Sequence, residues 1–289
     1  MNRKYMCTIK SIFSIAWANF DTWVHSSRTI IAIMFVFSEC IMLMTGLNRM
    51  LETYYNGIQM HLIEMMTLRM SEGCNYAIMS VLLLVTINEI PRKIGFQNYA
   101  MIRSNKVRWL FSQIVYCALM VIFMIILITI FMFICAIPYA SEGNGWSDLE
   151  RIMSGEINWN QTIINQYLIK NFSPISALLF CMIPLALFWF TMLLVILAFG
   201  LFGNSYLGII VYDFMLVAHI IFLADGVAGI KFPSEFASYI NIVGYQTGIE
   251  AERLSGAFAV YAFAILSILA VMYWRVQKME FNFYVENKY

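Results

Sequence analysis

Charged residues are scarce in this sequence. Asp, Glu, Lys and Arg make up 12% of the 289 residues, and hydrophobic residues make up 61%. Soluble domains carry about 25% charged residues, because polar groups must cover much of their surface. The scarcity excludes an ordinary soluble protein and predicts an integral membrane protein. With a net charge of +1, the chain also lacks the basic excess typical of nucleic-acid binding, so we expect no nucleic-acid partner.

Several motifs that carry chemistry are also missing. No Gly-x-x-x-x-Gly-Lys-Ser/Thr sequence occurs, and no glycine precedes a lysine, which excludes an ATPase with a phosphate-binding loop. The six cysteines form no Cys-x-x-Cys pair, and the three histidines are isolated along the sequence. We therefore expect the cysteines to pack as small hydrophobic residues. The sequence predicts no enzyme, no metal site and no cofactor bound by this chain.

Long apolar runs dominate what is present. Twenty apolar residues in a helix rise about 30 Å, which is the thickness of the hydrocarbon core of a bilayer. Runs of this kind predict an all-α integral membrane protein with six transmembrane helices in a single permease domain, residues 1–289. The predicted spans are about 29–48, 73–90, 109–137, 174–201, 205–224 and 254–274.

Residues 8–26 predict a helix of another kind. At 100° per residue most of its apolar side chains fall on one arc, and polar residues such as Ser14 and Asp21 lie opposite, with Ile15 as an apolar exception. This pattern is typical of an amphipathic helix in the membrane interface, although a helix packed on protein would also fit. The apolar arc consists of Ile9, Ile12, Phe13, Ala16, Trp17, Phe20, Trp23 and Val24.

Basic residues are divided unevenly between the two sides that six spans would create. The N-terminus, the segment 89–108, the turn 202–204 and the C-terminal tail together hold twelve Lys and Arg, and the opposite loops hold six. Because Lys and Arg are enriched in cytoplasmic loops, we expect a multi-pass protein of the cell membrane with both termini in the cytoplasm. The segment 89–108 alone holds five of these basic residues.

Two carboxylates lie within predicted spans, Glu39 in the first and Asp213 in the fifth. A charged carboxylate at bilayer depth costs at least ~2.5–3.5 kcal/mol on insertion scales, so it normally faces protein or water. No Lys or Arg lies deep in a span to pair with either one. We expect both to line a transport pathway or to form structural hydrogen bonds. A proton-carrying role would predict an ion-coupled secondary transporter, and a membrane scaffold or sensor is a third interpretation.

The segment between spans 2 and 3 carries Glu89, the Gly95-Phe96 step and Arg103-Ser104-Asn105-Lys106 leading to Trp109. With these residues, the layout of the whole chain resembles the membrane subunit of ABC-2-type exporters. In size and character it is similar to permeases of the phenol-soluble-modulin exporter group. The resemblance implies a cytoplasmic coupling helix at about 92–103 that docks on a separate ATP-binding subunit. The coupling residues it implies are Arg92, Lys93, Ile94, Phe96, Tyr99, Met101 and Arg103.

The resemblance also implies the partners. Two copies of an ABC ATP-binding subunit would bind ATP and Mg²⁺, and two copies of this chain would form a homodimer surrounded by membrane lipid. The export pathway would lie between the two copies. The implied cargo is an amphipathic or hydrophobic peptide of the toxin or antimicrobial type. The apolar spans equally permit a lipid or a lipid-linked glycan as cargo.

Overall fold

The structure is a computed structural model. It describes residues 3–54, 59–71, 73–87, 90–91, 105–143, 145–147, 169, 171–223 and 254–279. These residues form eight α-helices and one 3₁₀ turn, Ile137–Tyr139, with no β-strand among them, so the all-α prediction is confirmed there. The helices are α1 (Arg3–Val24), α2 (Ser27–Tyr54), α3 (Leu62–Ser71), α4 (Gly73–Thr86), α5 (Lys106–Ala136), α6 (Pro174–Leu201), α7 (Ser205–Leu223) and α8 (Leu254–Lys278).

Four of the described helices, α2, α5, α6 and α8, are long and apolar enough to cross a membrane. They correspond to the first, third, fourth and sixth predicted spans, and they identify a helical membrane protein. The apolar stretches of α4 and α7 are shorter, Ala77–Thr86 and Ser205–Val217. The 14 residues of α4 rise only about 21 Å, less than a hydrocarbon core. The second and fifth spans therefore stay predictions.

The helix α6 lies at the centre of the bundle and packs on α3, α5, α7 and α8. It begins at Pro174, after the N-cap residue Ser173, whose hydroxyl accepts a hydrogen bond from the Ser176 N–H. A helix that is hydrophobic on all sides is covered by other helices or by lipid. In the most apolar stretch of α6, 67% of the residues are buried, against 17% in that of α8. Among the four long apolar helices, α6 is thus the one that other helices cover most.

A polar contact inside the core joins α4, α6 and α7. The Trp189 indole N–H donates to Ser80 Oγ at 2.8 Å, and the Tyr212 hydroxyl donates to the Ser80 carbonyl oxygen at 2.9 Å. All three residues are fully buried. Because buried N–H and O–H groups need acceptors, these two bonds hold the short helices α4 and α7 in one orientation on α6.

The helix α1 packs along α5. The rings of Phe20 and Trp23 meet Phe123 edge-on, with centroids 5.6 and 5.8 Å away, and the Trp23 indole donates to the Thr86 carbonyl oxygen of α4 at 3.3 Å. These contacts bury the Trp23 side chain. The N-terminal helix is thus confirmed, and part of its apolar arc faces protein.

The remainder of that apolar arc is uncovered. Phe13 and Trp17 are 56% and 60% exposed, whereas Ala16 is buried. Ile15, the apolar exception on the polar side, is also buried. A helix with one apolar strip on protein and a second one bare is compatible with the membrane interface, and that location stays a prediction.

At the start of α3 a buried carboxylate connects two distant segments. Glu64 is fully buried and accepts hydrogen bonds from the Ser147 hydroxyl at 2.7 Å, the Ser147 backbone N–H and the His61 backbone N–H at 3.0 Å. The bond from His61 is the reciprocal half of a helix capping box, in which a Glu at the third helical position bonds back to the N-cap residue. We call this part of the bundle the Glu64 end.

Candidate functional site

The candidate coupling site lies at the other end of the bundle, which we call the Lys106 end. The predicted coupling residues are not described by the structure, and neither is Glu89. The residues that flank the segment 92–104 are described, Ile90–Pro91 before it and Asn105–Lys106 after it. We call these flanking residues the attachments of the segment. The site is therefore built from these attachments and the helices that hold them. The coupling residues outside the described ranges are Arg92, Lys93, Ile94, Phe96, Tyr99, Met101 and Arg103.

The first attachment is a close contact between the backbone of Ile90 and α6. Ile90 and Pro91 are buried against Gly200, one residue before the end of α6. A Cβ on Gly200 would overlap the Ile90 carbonyl oxygen and lie 2.6 Å from Pro91 Cδ. Glycine permits this approach because it has no side chain. The beginning of the segment is thus pressed directly onto the central helix.

The second attachment ties the end of the segment to α5 and α8. The Asn105 side chain accepts a hydrogen bond from the Val107 N–H at 3.2 Å and caps the N-terminus of α5. Such a cap satisfies a donor that the first turn of a helix leaves unpaired. The Lys106 ammonium donates to the carbonyl oxygen of Met279, directly after α8. The chain therefore enters α5 in contact with the end of α8.

A third contact connects α8 to α6 beside Gly200. Arg275 Nε donates to the Leu201 carbonyl oxygen at 3.4 Å, and the guanidinium carbon lies 5.1 Å from the centroid of the Phe202 ring. Arg275 thus satisfies a carbonyl at the C-terminus of α6 and stacks on the turn that follows it. We refer to Ile90–Gly200, Lys106–Met279 and Arg275–Leu201 together as the anchor contacts.

Basic and aromatic side chains surround the anchor contacts on α8. Lys278 Nζ lies 4.1 Å from the centroid of the Trp274 ring, and Trp274 is 52% exposed. An exposed Trp beside a Lys at the end of an apolar helix is typical of the level where a membrane meets water. The Lys106 end therefore has the chemistry of a membrane–water boundary.

The two intramembrane carboxylates lie on different helices. Glu39 is half-buried on α2, which packs mainly on α4 and α5, and Asp213 is exposed on α7, which packs on α6 and α4. Within the described part of the chain neither one has a hydrogen bond or an ion pair. The hydroxyl of the neighbouring Tyr212 bonds to Ser80 instead. The structure does not bring the two carboxylates into one site, and their pathway role stays a prediction.

Two positions of the candidate site were not predicted from the sequence. Gly200 is an ordinary small residue within a predicted span, and Arg275 is one of several basic residues after the last span. The sequence signal that pointed to this region is the pair of glycines Gly200 and Gly203 near the end of α6. Gly203 forms the turn after α6 with a positive φ of 100°. Nothing local to Gly200 indicates that Ile90 contacts it.

Among the described residues, no group of three or more His, Cys, Asp or Glu could hold a metal ion. Comparisons of the chain with known protein families, curated proteins and solved structures found no match. The resemblance to ABC-2-type permeases therefore rests on the pattern of the sequence.

Proposed function

We propose that this chain is the membrane-spanning subunit of an ATP-driven exporter of the ABC-2 type. Two copies form the export pathway in the cell membrane, with six spans and cytoplasmic termini in each copy. A separate ATP-binding subunit, also in two copies, binds ATP and Mg²⁺ and supplies the hydrolysis. The cargo is an amphipathic or hydrophobic peptide of the toxin or antimicrobial type.

The anchor contacts are the observation that carries this proposal. A segment held at both ends on α5, α6 and α8 transmits a displacement to those helices, because packed protein interiors have low compressibility. A loop tethered only by flexible linkers would absorb the same displacement. The attachments of the segment 92–104 are thus those that a coupling element requires.

The proposed working cycle uses these attachments in turn. Closure of the two ATP-binding subunits pushes on the segment 92–103. The Ile90 backbone carries the displacement to Gly200 and α6, and Lys106 carries it to α5 and to the end of α8. The central helix then moves against the peripheral ones and changes the access of the pathway. Alternating access and gated extrusion both follow from this linkage.

The choice of a peptide cargo rests on the resemblance and on composition. The chain has 21 Met and 23 Phe residues, and flexible Met-rich surfaces adapt to varied apolar ligands. Lipids and lipid-linked glycans are alternative cargoes for the same apolar helices. Uptake of an amphipathic helical peptide into inverted vesicles, measured with and without added lipid as a competitor, distinguishes these cargo classes.

Replacing both Phe96 and Tyr99 with alanine tests the function directly. Buried aromatic anchors contribute about 2 kcal/mol or more at protein interfaces, so docking of the ATP-binding subunit is expected to weaken roughly thirtyfold or more. Export into inverted vesicles should fall with it, while the permease remains folded. Co-purification in mild detergent and ATP-dependent uptake measure the two effects.

The matched control for this pair is Phe263→Ala, since Phe263 is an aromatic residue on α8 with 75% of its surface exposed. This variant should keep the normal complex. An intact complex and normal export in the Phe96/Tyr99 double variant would show that the segment does not couple the two subunits. Absence of any ATP-binding subunit from the purified wild-type complex would favour the scaffold or sensor interpretation.

An ion-coupled secondary transporter is the second candidate, and the exposed Asp213 favours it. Under the ABC proposal, reconstituted permease without its ATP-binding subunit should show no uptake driven by a proton gradient. Glu39→Gln and Asp213→Asn should each lower ATP-driven export severalfold if these carboxylates line the pathway. Gradient-driven uptake by the permease alone, abolished by either substitution, would replace the ABC proposal with the ion-coupled one.

A further inference from the structure

The helices α5 and α6 enclose an apolar groove on one side of the bundle, about halfway along both helices. Its volume is about 250 Å³, and all the described residues that line it are apolar. Ala118 and Ile122 of α5 form one wall, and Ile183 and Phe190 of α6 form the other. Because Ile122 and Ile183 are 54% and 45% exposed, the groove opens sideways, toward the membrane.

Small side chains leave this groove open, and larger ones close it. Ala118 and Ala186 both line it, and alanine fills little of the space between two helices. Further along, α5 and α6 meet again, where the Thr129 hydroxyl donates to Met182 Sδ at 3.7 Å. Atoms that line an unfilled space lack dispersion contacts on one side. The groove is therefore a site of limited length that an apolar chain would fill with gain of contacts.

A stripe along α5 leads from the groove to the Lys106 end. Arg108, Phe111, Val115, Ala118 and Ile122 follow one another at alternating steps of three and four residues, and at 100° per residue they fall within about 80° of arc. All five are half-buried or exposed. We call these residues the α5 stripe. It has a guanidinium at one end, the groove at the other, and apolar side chains between them.

The length of the α5 stripe matches that of an acyl chain. Arg108 and Ala118 are ten residues apart, which is about 15 Å along a helix. One leaflet of a hydrocarbon core about 30 Å thick is also about 15 Å deep. Long basic side chains near helix ends extend to the headgroup level. A lipid with its headgroup at Arg108 would therefore bring the end of an acyl chain into the groove.

The charge of the Lys106 end selects the headgroup. The described residues at this end, 90–91, 105–110, 200–206 and 274–279, include no Asp or Glu. Their basic residues are Lys106, Arg108, Arg275 and Lys278. In the described part of the chain, the Arg108 guanidinium has no hydrogen bond or ion pair. Its donors are thus available to an anion at the membrane surface.

We infer that the α5 stripe binds an anionic phospholipid, with the phosphate on Arg108 and one acyl chain in the groove between α5 and α6. Guanidinium–phosphate hydrogen bonds are charge-assisted and often bidentate, and basic pockets beside membrane helices bind anionic headgroups. This site does not depend on the proposed export function. A lipid held there contacts both α5 and α6, so its binding stabilises one arrangement of the two helices.

Titration with two lipids of equal chain length tests the headgroup. The purified full chain in mild detergent is titrated with dipalmitoyl phosphatidylglycerol or dipalmitoyl phosphatidylcholine, and native mass spectrometry counts the bound lipids. We expect phosphatidylglycerol to bind roughly tenfold more tightly, because hydrogen bonds to charged groups are the stronger ones. Equal affinities would overturn the inference. Displacement of the lipid by glycerol 3-phosphate would also overturn it, since that result identifies a site for a soluble phosphate.

Replacing Arg108 tests the phosphate contact. Arg108→Gln should bind phosphatidylglycerol roughly tenfold more weakly and lose the preference over phosphatidylcholine. Arg108→Lys should keep part of the preference, because it keeps the charge and loses the bidentate geometry. The matched control is Arg49→Gln, which removes an exposed arginine near the other end of α2 and should bind lipid like the wild type. Unchanged binding by Arg108→Gln would contradict the site.

Filling the groove tests the position of the acyl chain. Ala118→Phe should bind both dipalmitoyl lipids severalfold more weakly, whereas Ala262→Phe, at an exposed alanine of α8, should bind like the wild type. Dioctanoyl phosphatidylglycerol has chains about half as long that end before the groove, by the leaflet depth given above. It should not distinguish Ala118→Phe from the wild type. Equal affinities of these two proteins for the dipalmitoyl lipid would place the chain elsewhere and overturn the inference.

Photolabelling of the wild-type chain decides the case if Ala118→Phe does not fold. Phosphatidylglycerol with a diazirine at the end of one acyl chain is bound and irradiated, and the labelled peptides are identified by mass spectrometry. We expect the label to be concentrated severalfold in residues 118–122 and 183–190. Labels spread evenly over the exposed apolar surfaces, α8 included, would show that lipid covers the chain without a defined site.

Discussion

Substituting leucine for Gly200 is expected to separate the segment 92–104 from α6. A Cβ at this position would overlap the Ile90 carbonyl oxygen, which is backbone and cannot rotate away. The rest of the leucine side chain would then have to displace Ile90 and Pro91 together. Overpacking of this kind costs about 1–3 kcal/mol of unfolding free energy. Because Ile90 begins the proposed coupling element, ATP hydrolysis should continue while export falls.

Thermal unfolding, ATP hydrolysis and uptake into inverted vesicles measure the effect. Gly200→Ala should show a smaller change in the same direction. The matched control is Gly46→Ala on α2, where a Cβ would meet only Arg69 Nη2 at 3.9 Å. That variant should be neutral or slightly stabilising, since alanine is favoured over glycine in helices by about 1 kcal/mol. A Gly200→Leu protein that unfolds and exports like the wild type would show that the contact transmits nothing.

Removing the Glu64 carboxylate should destabilise the Glu64 end of the bundle. Glu64→Ala would leave the Ser147 hydroxyl, the Ser147 N–H and the His61 N–H without their shared acceptor. Each buried donor left unpaired costs about 1–3 kcal/mol. The total is a large part of the stability of a typical domain, roughly 5–15 kcal/mol. We expect a clearly lowered unfolding temperature in detergent and faster proteolysis of the segment around Ser147.

The matched control for Glu64 is Glu52→Ala on α2. Glu52 also accepts a hydrogen bond, from Asn48 Nδ2 at 2.7 Å, but Glu52 is exposed and Asn48 is only half-buried. Exposed contacts contribute about 0.5 kcal/mol or less, so this variant should unfold with the wild type. Glu64→Gln should fall between the two, because the amide keeps one acceptor oxygen and loses the charge. Equal unfolding temperatures for Glu64→Ala and Glu52→Ala would mean that the buried network contributes nothing.

Local sequence patterns predict the helices of this chain, and α6 shows that they can also predict where a helix begins and ends. Its predicted limits, 174–201, agree with Pro174–Leu201, because a Ser-Pro start and a Gly-containing turn bracket one apolar run. The N-terminal helix was predicted from its periodicity and is present. Its packing on protein was not predicted, since Ile15 on the polar side is buried. The neighbouring helices that cover α1 decide this, and the periodicity of α1 contains no information about them.

The sequence by itself determined the class of this protein. Few charges, long apolar runs and local caps predict a helical membrane protein, because each of these signals depends on neighbouring residues alone. The long-range contacts, both at the candidate site and at the Glu64 end, needed the tertiary structure. Lys106 and Met279 are 173 residues apart, and Glu64 and Ser147 are 83 apart. Packing of α3, α5, α6 and α8 brings such pairs together, and no local preference encodes which carbonyl, carboxylate or glycine a distant residue meets.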